Sequence, residues 1–247
     1  MKLTKYYYIC LIRFFKGKKN VKCPFCGWQG KEFFPFGVQL RRNAECPRCG
    51  SLERHRLYYL YLKKVIPKNK KLKILHFAPE KILTSLFKSY NKAEYLSVDI
   101  DPKKAMAQGD ITNLSFKNNS FDVIFCSHVL EHVEDDHKAI KELYRVLKPN
   151  GFAILQVPIL DELNGRKIDK TYDNFGITDP KEREKIFGQK DHVRIYGRDY
   201  INRLKSAGFK VRIDKFVNSL RAEDVRKFSL IPHECTETEG WIFYCTK

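Results

Sequence analysis

The sequence contains no apolar run of the length that crosses a bilayer. No stretch reaches the roughly 18 to 20 apolar residues of a transmembrane helix, and the aromatic segment 6–15 is interrupted by Arg13. This excludes a spanning protein. The segment also lacks a small-residue cleavage site, which disfavours a secretory signal and predicts a cytoplasmic location. We interpret it as an aromatic helix packed on the domain; an interfacial anchor with peripheral membrane contact is the alternative.

Acidic residues are scarce at the amino-terminal end. Residues 1–71 contain 18 Lys and Arg against 3 Asp and Glu, which is a net charge of +15 out of +18 for the chain. Residues 72–247 are therefore close to neutral. A block this basic favours an acidic partner, such as nucleic acid, an anionic membrane surface or a phosphorylated glycan.

Four of the eight cysteines form two pairs with the spacing of zinc ligands. Cys23 and Cys26 lie in CPFC, and Cys46 and Cys49 lie in CPRC; each pair is followed by glycine. Such turns let two thiolates converge on one ion, and two turns complete a tetrahedron. The pattern predicts a closed, structural Zn²⁺ site. Disulfides are the alternative, which a cytoplasmic location disfavours. The cysteines without this pattern are predicted to be ordinary thiols: Cys10, Cys126, Cys235 and Cys245.

Aromatic and basic residues are interleaved around these pairs. The aromatic ones are Trp28, Phe33, Phe34 and Phe36, and the basic ones are Arg41, Arg42 and Arg48. They suit either base stacking with phosphate contact or, for the aromatics, the miniature core that a small zinc module needs. We favour the second interpretation.

Four regions follow from the patterning. Residues 1–20 are a basic aromatic segment, 21–50 a zinc-knuckle module, 51–71 a linking helix (51–66, with Ser51 as its cap) and a linker, and 72–247 a larger domain. In that domain strands are predicted at 72–77, 95–100, 106–109, 121–127, 152–157, 209–216 and 241–245, and helices at 80–90, 137–147 and 199–207. This alternation predicts an α/β fold with a mostly parallel sheet covered on both faces.

Two carboxylates end apolar strands in the run YLSVDID and QGDI. Asp99 and Asp110 stand where an open α/β sheet binds a nucleoside. With SFDVIFCSHVLEHV and the element order, the run resembles the class I S-adenosylmethionine (SAM) dependent methyltransferases. The resemblance implies a Rossmann-like sheet of seven strands, the last antiparallel, with SAM across the strand ends. Asp99 would hold the ribose hydroxyls and Asp110 the adenine amine. The full predicted cofactor set is Phe77, Ala78, Glu80, Asp99, Ile100, Asp110, Ile111, Ser127 and His128.

The first loop departs from the family pattern. LHFAPEKI has no glycine; His76 occupies the usual acidic position, and Ala78, Pro79 and Glu80 replace the loop. Pro79 and Glu80 suit the start of a helix, so we predict that Glu80 contacts the SAM ammonium group. Only ten residues separate Asp99 from Asp110, which predicts a shortened third strand or crossover helix and a more exposed adenine.

The polar segment 160–197 follows the fifth strand and can cover the site as a lid. It contains FGQKDHVRIYG, in which His192 is a candidate general base with Asp191 near it. His192 and His128 are the predicted catalytic residues, and Arg194 and Tyr196 the predicted substrate contacts. The alternative is a turn in which Asp191 pairs with Arg194 and His192 is exposed. His132 is interpreted as a cap or packing residue.

The zinc pairs, LHFAPE and FGQKDHVRIYG together resemble a bacterial zinc-knuckle group of class I methyltransferases. The Asn/Asp-Pro-Pro-aromatic signature of amino-group methylation on bases is absent, and SHVL stands in its place. We therefore expect methyl transfer to an oxygen, nitrogen or carbon of a small metabolite or glycan. An RNA acceptor bound by the basic zinc module and a degenerate SAM-binding module are the alternatives.

Overall fold

The computed structural model describes residues 19–37, 40–163, 166–232 and 237–247. They divide into two units: the described residues up to Pro67 with Lys215–Gly240, and Lys68–Asp214 with Trp241–Lys247. Segment 6–15, Cys10 and Cys235 lie outside the described residues. None of the described helices is long and apolar enough to cross a membrane.

Two antiparallel hairpins and a helix form most of the first unit. Strand β1 (Val21–Lys22) pairs with β2 (Gln29–Gly30), and β3 (Phe34–Phe36) pairs with β4 (Arg41–Glu45). Helix α1 (Glu53–Val65) follows. Ser51 does not cap it as predicted: Leu52 is the N-cap, and its amide donates to His55 Nδ1 at 3.2 Å.

Phe33 and Trp28 form the miniature core expected of a zinc module. The Phe33 side chain is fully buried, and its ring lies 5.4 Å from that of Trp28. Val21 and the cysteine side chains complete this cluster. Phe36, in contrast, is 41% exposed. The core interpretation therefore holds for Trp28 and Phe33 and fails for Phe36.

Residues 215–240 belong to the first unit because of Arg56, a buried residue of α1. Its guanidinium donates to the carbonyls of Ala44 and Ser51 and to those of Phe228 and Ser229, at the end of helix Ala222–Phe228. It also lies 4.1 Å from the centre of the Phe33 ring, and burial lowers the pKa of Arg56 to about 10. The predicted domain 72–247 stays a prediction, while the described residues of 215–240 group with the amino-terminal unit.

Seven strands form the sheet of the second unit. They are β5 (Leu72–Phe77), β6 (Ala93–Asp99), β7 (Ala107–Gln108), β8 (Phe121–Ser127), β9 (Leu147–Gln156), β14 (Lys210–Asp214) and β15 (Ile242–Thr246). The order across the sheet is β14-β15-β9-β8-β5-β6-β7. The five strands β5 to β9 are parallel, and β15 runs antiparallel to both of its neighbours. The predicted α/β sheet with a final antiparallel strand is confirmed.

Amphipathic helices cover this sheet. Helix α2 (Lys81–Lys88) buries Leu83 and Phe87, and α3 (Asp136–Val146) buries Ile140 and Leu143. Each such side chain contributes roughly 1.5–3 kcal/mol when removed from water. Both helices start within one residue of the prediction. Helix α5 (Tyr200–Ser206) also matches the helix predicted at 199–207.

The predicted lid segment contains short regular elements. Strand β10 (Glu162–Leu163) pairs with β11 (Arg166–Lys167), and β12 (Tyr172–Asp173) pairs with β13 (Arg194–Ile195). Helix α4 (Pro180–Phe187) lies between β12 and β13, with Asp179 accepting hydrogen bonds from the amides of Lys181 and Glu182. The pairing of β12 with β13 thus joins the middle of the lid segment to its carboxyl-terminal part.

Candidate functional site

Strands β5, β6 and β8 are adjacent and parallel, so their carboxyl ends meet at one edge of the sheet. Ala78 follows β5, Asp99 ends β6, and Ser127 and His128 end and follow β8. Ala78 and His128 have φ values of +44° and +55°. Side chains other than glycine rarely adopt this backbone, and such strain concentrates at ligand-binding sites. In the family pattern described above, glycines form the loop after the first strand; here Ala78 adopts the left-handed conformation in that loop.

His76 and Glu80 form a pair at the first loop. His76 is fully buried; its Nε2 lies 2.9 Å from Glu80 Oε2 and its Nδ1 lies 3.1 Å from the Tyr95 hydroxyl. Helix α2 starts at Lys81, so Glu80 is its N-cap and Pro79 lies outside the helix, against the prediction. A carboxylate is thus present beside position 76, where Glu80 pairs with His76. Its predicted contact with SAM stays a prediction.

Asp99 and Asp110 differ in their surroundings. Asp99 is partly buried, and its Oδ1 accepts a hydrogen bond from the Asp101 amide at 2.8 Å. Asp110 is exposed, and its Oδ1 accepts from the amide and hydroxyl of Thr112. Only turns and the two-residue β7 lie between the two carboxylates, as their short spacing predicts. Asp99 is thus the better placed of the two for a buried ligand.

The remaining predicted cofactor residues fall into two groups. Phe77 and Ile111 are core side chains, so only their backbone can face a ligand. Ile100 is 69% exposed beside Asp99, and the buried Ser127 Oγ has no hydrogen-bond partner among the described residues. An exposed apolar side chain, a carboxylate and a free buried hydroxyl along one edge suit a ligand with an aromatic base and hydroxyl groups. These residues fit an adenosine group.

A cluster of histidines and one glutamate follows β8. A short 3₁₀ helix, Leu130–His132, places Glu131 and His132 beside His192 of the lid segment. One ligand atom from each of these three residues lies within 4.8 Å of the others. The His132 and His192 rings meet edge to face with centroids 4.8 Å apart, and the Val193 amide donates to the Glu131 carbonyl at 3.0 Å.

Glu131 is the buried charge of this cluster. It is 1% exposed; Oε1 pairs with His128 Nδ1 at 3.2 Å, and Oε2 has no hydrogen-bond partner among the described residues. Burial acts to raise the pKa of Glu131, but His128 and, farther off, His132 outweigh it, so the pKa is lowered. Burial lowers the pKa of His192. Sequence reasoning missed Glu131 and the role of His132, although the adjacent Glu-His pair after a strand end was visible.

Asp191 lies near His192, as predicted, and its charge acts to raise the pKa of His192 against the larger effect of burial. His192 is 6% exposed, and the Asp191 carboxylate lies 3.4 Å from His132 Nδ1. The alternative turn is wrong, because His192 is buried and Arg194 pairs with other carboxylates. The Arg194 guanidinium donates to Asp173 Oδ1 at 2.6 Å and to the carbonyls of Leu130, Val133 and Glu134.

Arg194 and Tyr196 are engaged within the fold. The Tyr196 hydroxyl donates to Asp136 Oδ2 at 2.6 Å, and Arg203 bridges Asp136 and Asp173. Both predicted substrate contacts are buried, at 1% exposure each. These bonds hold the lid segment against the turn after β8, and they disfavour a direct substrate contact, which stays an untested prediction.

The four cysteines of the first unit converge. Cys23 Sγ lies 3.7 Å from Cys49 Sγ, and Cys26 Sγ lies 3.6 Å from Cys46 Sγ. These separations are far from the 2.05 Å of a disulfide. A tetrahedron with Zn–S bonds of 2.3 Å has edges of about 3.8 Å, so the donor set fits zinc. Of the other described cysteines, Cys126 and Cys245 are buried thiols whose pKa burial raises.

Comparisons with known proteins agree with this fold. Residues 80–155 match the model of a family described as a methyltransferase domain. The demethylmenaquinone methyltransferase of Streptomyces avermitilis is 41% identical over 54 residues, which cover 22% of this chain and 23% of that protein. The chain spans between 20% and 52% of the length of the curated relatives it matches.

Two solved structures share the fold. The SAM-dependent methyltransferase of Mesorhizobium loti superposes with a TM-score of 0.53 at 16% identity, over 77% of this chain and 98% of that one. The [4+2]-cyclase SpnF superposes with a TM-score of 0.51 at 14% identity, over 78% and 81%. Because a cyclase shares the fold, the fold alone does not fix the reaction. Residues 80–155 are thus similar to a methyltransferase-domain family, and the chain shares its fold with the Mesorhizobium loti protein and with SpnF.

Proposed function

We propose that the whole protein is a SAM-dependent methyltransferase that acts on a small metabolite or glycan. The observation that carries this is the sheet edge: Asp99, the left-handed Ala78 and the unpaired Ser127 hydroxyl follow three adjacent parallel strands. Such an edge is where open α/β sheets bind nucleosides. The relatives named demethylmenaquinone methyltransferase support a small-molecule acceptor.

SAM would supply an electrophilic methyl group on a sulfonium. In this proposal Asp99 accepts hydrogen bonds from the ribose hydroxyls, Asp110 accepts from the adenine amine, and Glu80 receives the ammonium group. Ser127 and His128 line the methionine part, and His128 and His192 act on the acceptor. In-line transfer then requires mainly that the acceptor atom is held about 3 to 3.5 Å from the methyl carbon.

Calorimetric titration of the full chain with SAM tests the donor site. Asp99→Asn should weaken SAM binding at least tenfold. The amide is neutral and has one acceptor oxygen, whereas the carboxylate is charged and can accept hydrogen bonds from both ribose hydroxyls. Glu94→Gln is the matched control: it lies on the same strand, is exposed, and among the described residues pairs with Lys73 at 3.1 Å. Absence of SAM binding by the unmodified protein would overturn the proposal. Binding without any methyl transfer would favour the degenerate module.

RNA is the second candidate acceptor, favoured by the +15 charge of residues 1–71. Within the described part, Arg42 is exposed, whereas Arg41 pairs with Glu53 at 3.2 Å and Arg48 donates to the Cys26 carbonyl. RNA binding that falls steeply with added salt would support this candidate. Weak binding that salt hardly changes would leave the small-molecule acceptor.

We also infer that Cys23, Cys26, Cys46 and Cys49 bind a structural Zn²⁺. The sulfur separations and the small core around Phe33 support this, because a module of this size gains folding energy from a closed metal site. With four protein ligands, such an ion has no open position for water or acceptor.

A further inference from the structure

The second cluster of metal-ligating side chains lies beside the proposed donor site. We propose that Glu131, His132 and His192 bind a divalent first-row transition-metal ion, and that this ion holds a hydroxyl group of the methyl acceptor. The inference rests on the proposed methyltransferase function for the second part only. Metal binding itself can be measured without SAM or acceptor.

The donor set and its geometry support the metal. Two imidazoles and one carboxylate are the ligands that Mn²⁺, Fe²⁺, Co²⁺ and Zn²⁺ accept, whereas Mg²⁺ and Ca²⁺ prefer oxygen alone. The three donor atoms lie within 4.8 Å of one another. Donors on one ion are about 3 to 3.5 Å apart, so the widest separation must close by roughly 1.3–1.8 Å. His132, one-third exposed, is the ligand with room to rotate.

The buried Glu131 carboxylate supplies an independent observation. An ionised carboxylate that is 1% exposed, with Oε1 facing His128 and Oε2 without a hydrogen-bond partner among the described residues, is costly to bury. A metal ion would satisfy one oxygen, while His128 Nδ1, at 3.2 Å, pairs with the other. Such an outer partner orients a ligating carboxylate. In place of the direct action on the acceptor proposed above, His128 is then a positioning residue and His192 a metal ligand.

Three protein ligands leave coordination positions open, as in catalytic metal sites. The turn with Glu131 and His132 comes directly after Ser127 and His128, which line the proposed donor site. An acceptor hydroxyl bound to the ion loses its proton more easily, because the metal lowers the pKa of a bound oxygen. The proton leaves to solvent. The oxygen lone pair forms the new O–CH₃ bond while the S–CH₃ bond breaks, and its electron pair stays on sulfur, giving S-adenosylhomocysteine.

Titration of the zinc-loaded full chain with Co²⁺ tests the site. We expect about one equivalent of Co²⁺ to bind with an absorption spectrum free of sulfur-to-cobalt charge transfer, which separates it from the four-cysteine cluster. His192→Ala and Glu131→Gln should each weaken this binding at least tenfold. His137→Ala, an exposed histidine on α3, should leave it unchanged. No Co²⁺ binding beyond the cysteine site, or equal binding by all variants, would overturn the proposal.

Thermal unfolding separates ligation from a structural ion pair. Without added metal, Glu131→Gln should be less stable than the unmodified protein, because it leaves His128 Nδ1 without its carboxylate partner at 3.2 Å. Added Co²⁺ should raise the melting temperature of the unmodified protein and not that of Glu131→Gln. A destabilised Glu131→Gln with the same response to Co²⁺ would make the glutamate a structural partner of His128. If Co²⁺ binds and SAM does not, the metal site stands and the proposed function fails.

Discussion

Among the described residues, each of the two units contains one cluster able to hold a metal ion. The two clusters differ in donor type, in the origin of their ligands and in exposure. In the first unit four thiols come from two local turns and enclose a volume of tetrahedral size. In the second unit two imidazoles and a carboxylate lie at the carboxyl edge of a large sheet, with one ligand partly exposed. The closed cluster can only stabilise its small unit. The open cluster can add an external ligand, so it is suited to an acceptor.

The largest expected effect comes from the closed cluster. Cys46→Ser removes one of four thiolates, and structural zinc supplies roughly 10–16 kcal/mol of folding free energy in small zinc modules. We expect the full chain to lose its tightly bound zinc and the first unit to lose cooperative unfolding. Metal analysis and calorimetric unfolding measure both. Cys126→Ala is the control: it removes a buried thiol of the other unit, and this variant should keep the zinc. Full zinc retention by Cys46→Ser would rule out the cysteine site.

The contrast between the clusters also explains what the sequence could reveal. Cys23 and Cys26 are three residues apart, so their turn is readable without any fold. Glu131 and His192 are sixty-one residues apart and meet where tertiary contacts, among them those of Arg194, fasten the lid segment to the turn after β8. Strands with apolar runs, and Asp99 at the end of one, were predictable for the same local reason. The N-cap of α2 and the packing of 215–240 could not be predicted from the sequence, because they depend on the tertiary contacts of His76 and Arg56.

Replacing Asp173 should have an intermediate effect on stability, because this carboxylate helps to hold the lid segment that supplies His192 to the open cluster. Burial acts to raise the pKa of Asp173, but hydrogen bonds from Arg194 and Arg203 outweigh it and lower the pKa. A carboxyl with a lowered pKa stabilises the fold above its unfolded value, about 3.9, and this contribution is lost as pH falls through the folded value. Asp173→Asn should therefore cost about 1–3 kcal/mol at pH 7, with a gap that narrows in acid.

Denaturant unfolding between pH 7 and pH 3 measures that gap. Glu94→Gln, which breaks an exposed ion pair, should change stability by no more than about 0.5 kcal/mol. Asp173→Asn should also weaken Co²⁺ binding, because the lid segment that supplies His192 loses an anchor. Stability that matches the unmodified protein at pH 7, or a gap that does not depend on pH, would show that Arg194 and Arg203 do not need this carboxylate.

The smallest effects come from the residues that touch the ligands. Ser51 Oγ lies 3.3 Å from both Cys23 Sγ and Cys49 Sγ, and the exposed Asp191 carboxylate lies 3.4 Å from His132 Nδ1. Outer partners of this kind are worth about tenfold or more in metal affinity, and solvent screening reduces the share of an exposed carboxylate. Ser51→Ala should thus weaken zinc binding by about tenfold, and Asp191→Asn should weaken Co²⁺ binding by less. Chelator competition for zinc and optical titration for Co²⁺ measure the two. Each variant is the control for the other, because neither should affect the ion of the other unit; a crossed effect would mean that the two clusters are not independent.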